Sequence, residues 1–506
     1  MSSPSSNFGR RIIRYDRVQA TSEDDFDPED PIDSRQMARE EAAAVGSQKE
    51  AGFTDEAGRY FSGHALIGDK EESSSEESTD KLENSQSFLD SSDNSDLISS
   101  EILLFLTMSY LLGMAFIETP FLMRFVGWSG VGVIFVVALI TGYTAKLIIR
   151  NLVNYQRRHP YHFVSYVTQY ESERDCLSIF LTVIYLLYLM LTAVTVLLEI
   201  SKTILELTAA NKDVTKFIQT SGSRVISAAV GFLLYPLTLF KSPKRYFWLS
   251  VPTLTMTVVA GLLLTTLLGN LEGKNPHTFK EIRYQEYAIW ISTSVCNLVR
   301  FFGLHAVLST VLMDMRDPDS AARVVGAGFL IPTIFVIVVA MMSYFAFGSN
   351  LLPRLYDVID STVVSQPNTF KAVSTHSVKG FMVFQLCFVY ILNINALNLF
   401  FEKYGLSSDN KCHCCLVRLF TSIMVVLVAV ASNGIEDALI FTNTFLAVAV
   451  CVIIPLVSSI DSKHSKPHEY ILTGIVIFFI VICMFGTCYG LIIHTVYRLF
   501  GVNVKL

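Results

Sequence analysis

The chain has 506 residues, 51% of them hydrophobic and 17% charged, with a formal net charge of −6 and a mean hydropathy of +0.45. That is more apolar surface than one water-soluble core can bury, which excludes a soluble globular protein and implies a polytopic membrane protein. Nothing in this balance calls for a nucleic-acid partner.

Residues 1–100 are polar throughout and hold no apolar h-region, so no cleavable signal is expected and the first span acts as its own insertion signal. The stretch "DKEESSSEESTDKLENSQSFLDSSDNSD" (Asp69 to Asp96) is too acidic and serine-rich to fold around a core, and the whole tail reads as a disordered cytosolic segment. Its serines suit kinases. "DNSDLI" (Asp93 to Ile98) matches an acidic dileucine pattern read by sorting adaptors, although a plain solvated leader accounts for it equally well.

Eleven windows of about 20 apolar residues follow, the length that crosses a ~30 Å hydrocarbon core. They lie near 101–125, 128–150, 177–201, 223–240, 246–269, 287–312, 324–348, 380–402, 416–434, 437–460 and 470–497, and the fourth is short. The expected fold is therefore all-α: a transmembrane domain over 101–500 with a short end, 501–506, in contact with the lipid bilayer. With the tail in the cytosol, the connections "RNLVNYQRRH", "KSPKR", "MRDPDSAAR" and "KCHCCLVR" carry a slight positive-inside bias. An odd number of spans then places Leu506 across the membrane.

Of nine cysteines, Cys176, Cys296, Cys387, Cys451, Cys483 and Cys488 fall in or at the ends of spans, where a thiol behaves as a small hydrophobe. The "KCHCC" run (Cys412, His413, Cys414, Cys415) has no second ligand pair at zinc spacing, so palmitoylation or plain loop thiols rank ahead of a metal. No metal or cofactor is expected.

An ionisable group inside a span is costly and is a functional candidate by default. Span one holds "SYLLGMAFIETPFLMRFVGW" (Ser109 to Trp128), with Gly113, Glu118, Thr119 and Pro120 in mid-span. Span six holds "VRFFGLHAVLST" (Val299 to Thr310), with Arg300, Gly303 and His305. Each pairs buried charge with a place where the helix can be interrupted, the pattern of transporters built from two inverted five-helix repeats whose first helices break at mid-membrane. Span eleven would stand outside that repeat. In span three, Tyr185, Tyr188, Thr192, Thr195 and Glu199 share one helical face, and in span eight Asn395 and Asn398 do the same. These polar stripes fit either a transport path or hydrogen-bonded helix packing.

"GMAFIETPFLMRFVGWSGVGVIFVVALITGYTAKLI" (Gly113 to Ile148) and "FFGLHAVLSTVLMDMRDPDSAARVVGAGFLIPTIFVIVVAMMSYFAFGSN" (Phe301 to Asn350) resemble helices one, two, six and seven of the amino acid/auxin permease family. Within it, the chain looks most like the branch of the vesicular inhibitory amino acid transporter. The resemblance implies a secondary active transporter of amino acids or related small amines. It also implies an endomembrane location, vesicular or lysosomal, ahead of the plasma membrane. Carried over position by position, it puts substrate contacts at Gly113, Met114, Ala115, Glu118, Thr119, Phe301, Gly303 and His305. Tyr188 joins them from the span-three stripe, while Glu118, Arg300, His305, Asn395 and Asn398 are the coupling or ion-pair candidates.

Two departures from the family pattern stand out: Glu118 occupies a position that is usually Gly, and Ser309 one that is often Pro. Three accounts of Glu118 stay open: a proton site that couples transport to a proton gradient, the ionised partner of Arg300, or a receptor for a substrate ammonium. The coupling ion is H⁺ or Na⁺. A membrane-embedded enzyme finds no support, because His305 has no second ligand or Ser–His–Asp partner in view. A transporter-like sensor that binds without turnover is the serious rival.

Overall fold

The computed structural model describes residues 98–158, 175–208, 222–240, 243–269, 284–312, 315, 317–351, 354, 355, 359, 369–404, 411–432, 436–460 and 467–499. The acidic tail and the 501–506 end lie outside the described residues. Within them the chain is all-α: α1 Ser100–Val126, α2 Ser129–Arg158, α3 Asp175–Thr208, α4 Ser223–Thr238, α5 Pro243–Gly269, α6 Tyr284–Phe301 and α7 His305–Leu312 come first. After them run α8 Ala321–Phe347, α9 Thr369–Tyr404, α10 Lys411–Ala431, α11 Glu436–Val448, a π turn at Ala449–Ile453, α12 Ile454–Ile460 and α13 Pro467–Leu499. The only extended pairing among the described residues is an isolated bridge between Ile98 and Met315.

Nine segments are long and apolar enough to cross a membrane, ten when the bent α1 is included, and the 16-residue α4 occupies the window that the sequence marks as short. Helices suit this setting because every backbone group inside a helix is satisfied without water. Two spans mark the extremes of the packing. The α6–α7 span is 94% buried and forms the centre, whereas α13 is 22% buried and lies at the periphery, where it packs on α6. Large apolar side chains left uncovered, such as Leu139, Leu330 and Phe485, are suited to lipid rather than to another protein element.

Helix α1 packs against α8, α5 and α6, and α3 against α9 and α11, so the two spans with buried charge meet inside the bundle. The axis of α1 turns by 54° between Ser100–Gly113 and Glu118–Val126. Pro120 supplies the cause, since it has no N–H to offer the Phe116 carbonyl one turn back. The interruption expected in span one is therefore a bend in a helix, while that in span six is a true break.

Candidate functional site

Helix α6 ends at Phe301 and α7 starts at His305, leaving Phe302, Gly303 and Leu304 outside regular helix. The break is held by Phe302 N–H donating to the Leu298 carbonyl (3.0 Å), Gly303 N–H to Arg300 (3.2 Å) and Leu304 N–H to Phe302 (2.9 Å). Two tyrosines of α3 then take carbonyls beside it: Tyr188 Oη donates to Gly303 O at 2.9 Å and Tyr185 Oη to Ala306 O at 3.0 Å. Only glycine allows this, because a Cβ at residue 303 would collide with the Tyr188 hydroxyl. The π turn of span ten closes the same region, with Cys451 Sγ 3.8 Å from Tyr188 Oη. Such turns widen a helix by one residue and often occur where a backbone is re-aimed at a site.

Across the break, Arg300 Nη2 donates to Glu118 Oε2 at 2.9 Å. Glu118 opens the second segment of α1 and Arg300 sits in the last turn of α6, so each charge lies where the helix dipole favours its sign. The Arg300 side chain is 4% exposed and its partner 25%, and the guanidinium carbon lies 4.8 Å from the centroid of the Phe301 ring. Arg300 Nε has no hydrogen-bond partner among the described residues.

His305, fully buried, places Nε2 2.9 Å from Thr144 Oγ1 and 3.1 Å from the Thr141 carbonyl, both on α2. A proton on Nε2 serves that carbonyl and leaves Nδ1 as an acceptor with no partner among the described residues. Thr119 and Ala115 are buried at the bend, and Thr119 Oγ1 is likewise unpartnered there. At Gly113 a Cβ would stand 2.7 Å from Val389 Cγ2, so the missing side chain lets α1 lie against α9. Gln385 of α9 fastens that contact, donating from Nε2 to the Ser109 carbonyl while accepting from Thr257 Oγ1 at 2.7 Å. The side chain of Met114 lies outside the described atoms.

This is a dry site that offers one anion, one cation and unspent hydrogen-bonding groups at a bent helix facing a broken one. A family model for "Transmembrane amino acid transporter protein" matches residues 99–493. The chain belongs to this transporter family. It is also 22% identical over 389 residues to the amino acid transporter AVT1E of Arabidopsis thaliana, across 76% of this chain and 70% of that protein. The family is one of multi-pass membrane transporters of amino acids and not of enzymes.

Not every predicted residue of this amino acid transporter lies at the break. Asn395 instead joins a second cluster, with Oδ1 3.4 Å from Nη1 of the buried Arg418. Asn398 is fully buried on α9, and neither of its side-chain polar atoms has a partner among the described residues. The lower part of the span-three stripe is engaged in packing: Thr192 Oγ1 donates to Asn443 Oδ1 at 3.1 Å, and Asn443 Nδ2 donates to Thr195 Oγ1 at 3.3 Å. Glu199, its last member, accepts from Arg354 Nε at 3.1 Å, and Arg354 also pairs with Glu206 at 2.5 Å. Lys379 Nζ reaches the other Glu206 oxygen at 3.4 Å.

Sequence reasoning passed over Asn443, Gln385, Thr141 and Thr144, which are uncharged and so escape a search for charge inside spans. It also passed over Arg354, which reads as an ordinary loop cation. Polar amides in otherwise apolar runs, "FTNTF" and "VFQLCF", were the available signal. Among the described residues, no three His, Cys, Asp or Glu side chains come together as a metal ion would need.

Proposed function

We propose that this protein is a secondary active transporter of amino acids or small amines. In this reading it is driven by a proton or other cation gradient, works by alternating access between inverted repeats, and keeps its N-terminal tail on the cytosolic side of an endomembrane. The observation that carries the reading is the 2.9 Å Glu118–Arg300 pair spanning the α1 bend and the α6–α7 break. The name of the plant relative supports amino acids as cargo.

While Glu118 is ionised, it occupies Arg300. Once Glu118 takes a proton, Arg300 loses its counter-ion and becomes the receptor for a substrate carboxylate, so that proton and substrate enter together. The substrate ammonium then turns to neutral acceptors, His305 Nδ1 and Thr119 Oγ1 among them. Release of the proton on the far side restores the Glu118–Arg300 pair and expels the anion.

Uptake of labelled amino acids into proteoliposomes, with and without an imposed pH gradient, tests the cycle. Glu118→Gln should abolish concentrative uptake and retain exchange, because the neutral state is fixed. Arg300→Gln should abolish both. A Glu118→Gln protein with unchanged pH-driven uptake would defeat this account, and substrate binding without flux in the unsubstituted protein would establish a sensor instead.

A further inference from the structure

A crevice separates the outer faces of α2 and α8, away from the α6–α7 break. Its volume is about 300 Å³. Gly142 and Phe329 form its floor, and Phe135, Leu139 and Leu330, respectively 45%, 55% and 52% exposed, form its walls. These apolar walls face outward from the bundle, so the crevice is reached from the bilayer rather than from water.

Its two ends differ in chemistry. At one end Lys146 crosses in front of Gly326, where an added Cβ would be 2.7 Å from Lys146 Cε. Arg150 lies one turn further along α2 and Arg323 one turn before Gly326 on α8, and all three cations are exposed. Neither α2 nor α8 contains a single Asp or Glu. The nearest acids in sequence, Asp317 and Asp319, belong to the turn that precedes α8.

From Phe135 to Lys146 the crevice runs about 16 Å at 1.5 Å per residue, close to the ~15 Å depth of one leaflet of a ~30 Å hydrocarbon core. Its basic end coincides with the boundary of spans two and seven, where long cationic side chains reach the headgroup layer. An apolar slot one leaflet deep with cations at its mouth matches an acyl chain below an anionic headgroup.

We propose that the α2–α8 crevice is a binding site for an anionic phospholipid of the bilayer, with one acyl chain on Gly142 and Phe329 and the headgroup phosphate held by Lys146, Arg150 and Arg323. The site has a route to the transport centre. Phe329 presents its ring edge-on to His305 at a centroid distance of 6.4 Å, so a chain lying on Phe329 supports the first residue of α7.

The test is native mass spectrometry of the delipidated full-length protein, titrated separately with phosphatidylserine and with phosphatidylcholine of the same chains. Phosphatidylserine should bind more tightly, and Lys146→Gln or Arg323→Gln should each weaken it roughly five-fold, the worth of one cation near a membrane surface, while leaving phosphatidylcholine unchanged. Gly142→Ala adds a methyl in ordinary contact, 3.6 Å from Phe329, so it narrows the slot without strain and should weaken both lipids. Gly142→Leu should weaken them further. Equal binding of the two lipids would overturn the proposal, as would a preference that survives loss of both Lys146 and Arg323. Competition by inorganic phosphate as effective as that of phosphatidylserine would reduce the site to a bare anion contact, and displacement of both lipids by sterol would assign the slot to a neutral occupant.

Discussion

Two buried arginines show what an ion pair inside a membrane protein is for. Arg418 on α10 spends all its nitrogens: Nε and Nη2 donate to the two oxygens of Glu402 at 2.5 and 3.3 Å, and Nη1 donates to the carbonyls of Thr238 and Phe240 and to Asn395 Oδ1. Both partners are nearly inaccessible, at 1% and 8% side-chain exposure, and the cluster ties α10 to α9 and to the end of α4. Arg300 makes one printed hydrogen bond, to a Glu118 that keeps a quarter of its side chain open, and its Nε is unspent. A saturated pair is a rivet, while an unsaturated pair leaves capacity for a third party.

The comparison is sharpest at the level of stability. Arg418→Gln should strand the Glu402 carboxylate and two carbonyls, costing about 3–5 kcal/mol. The expected readout is a large fall in melting temperature in detergent or nanodiscs, with poor recovery of folded protein. Arg300→Gln should cost less, about 1–2 kcal/mol, because Glu118 retains solvent and can take up a proton. Equal losses in the two variants would erase the distinction between rivet and receptor.

A smaller effect separates the α6–α7 break from ordinary packing. Gly303→Ala drives a methyl into the Tyr188 hydroxyl and should be destabilising, whereas Tyr188→Phe alone should lose about 1–2 kcal/mol by leaving the Gly303 carbonyl unpaired. In the double variant the clash is gone, so the two losses should fall short of additive in a double-mutant cycle monitored by thermal melting. Strict additivity would mean that Tyr188 does not hold the break. The smallest change belongs to Asn443→Ala, which removes bonds to Thr192 and Thr195 worth about 0.6 kcal/mol each. It should shift melting slightly and leave uptake kinetics in place.

Much of this was legible in the amino-acid sequence, because membrane insertion writes its requirements locally. A run of about 20 apolar residues must be a span, so the windows and the short α4 follow from hydropathy alone. A charge in such a run needs a partner, and Glu118 had few to choose from, so Arg300 could be named beforehand. What escaped was the pairing of neutral groups over long distances. Tyr188 and Gly303 are 115 positions apart, and nothing in either neighbourhood says that one hydroxyl closes the other's carbonyl. Asn395 misled for the same reason: its short-range pattern with Asn398 suggested a shared role, while its actual partner, Arg418, lies one hairpin away on α10. The α1 bend was read as a break because Pro120 announces a missing hydrogen bond but does not say how far neighbouring turns absorb it.

The π turn at Ala449–Ile453 also sets the angular phase of the rest of its span. A residue in an α-helix advances about 100° around the axis, so the wider turn decides which face of α12 looks inward. Ser458, whose hydroxyl accepts from Asn151 Nδ2 at 3.2 Å, depends on that phase. Shortening the turn by one residue would restore a regular helix and swing Ser458 away from α2 toward the lipid. In this stretch length is as binding as identity: single substitutions can be absorbed by repacking, but a one-codon deletion would rotate everything downstream in the span.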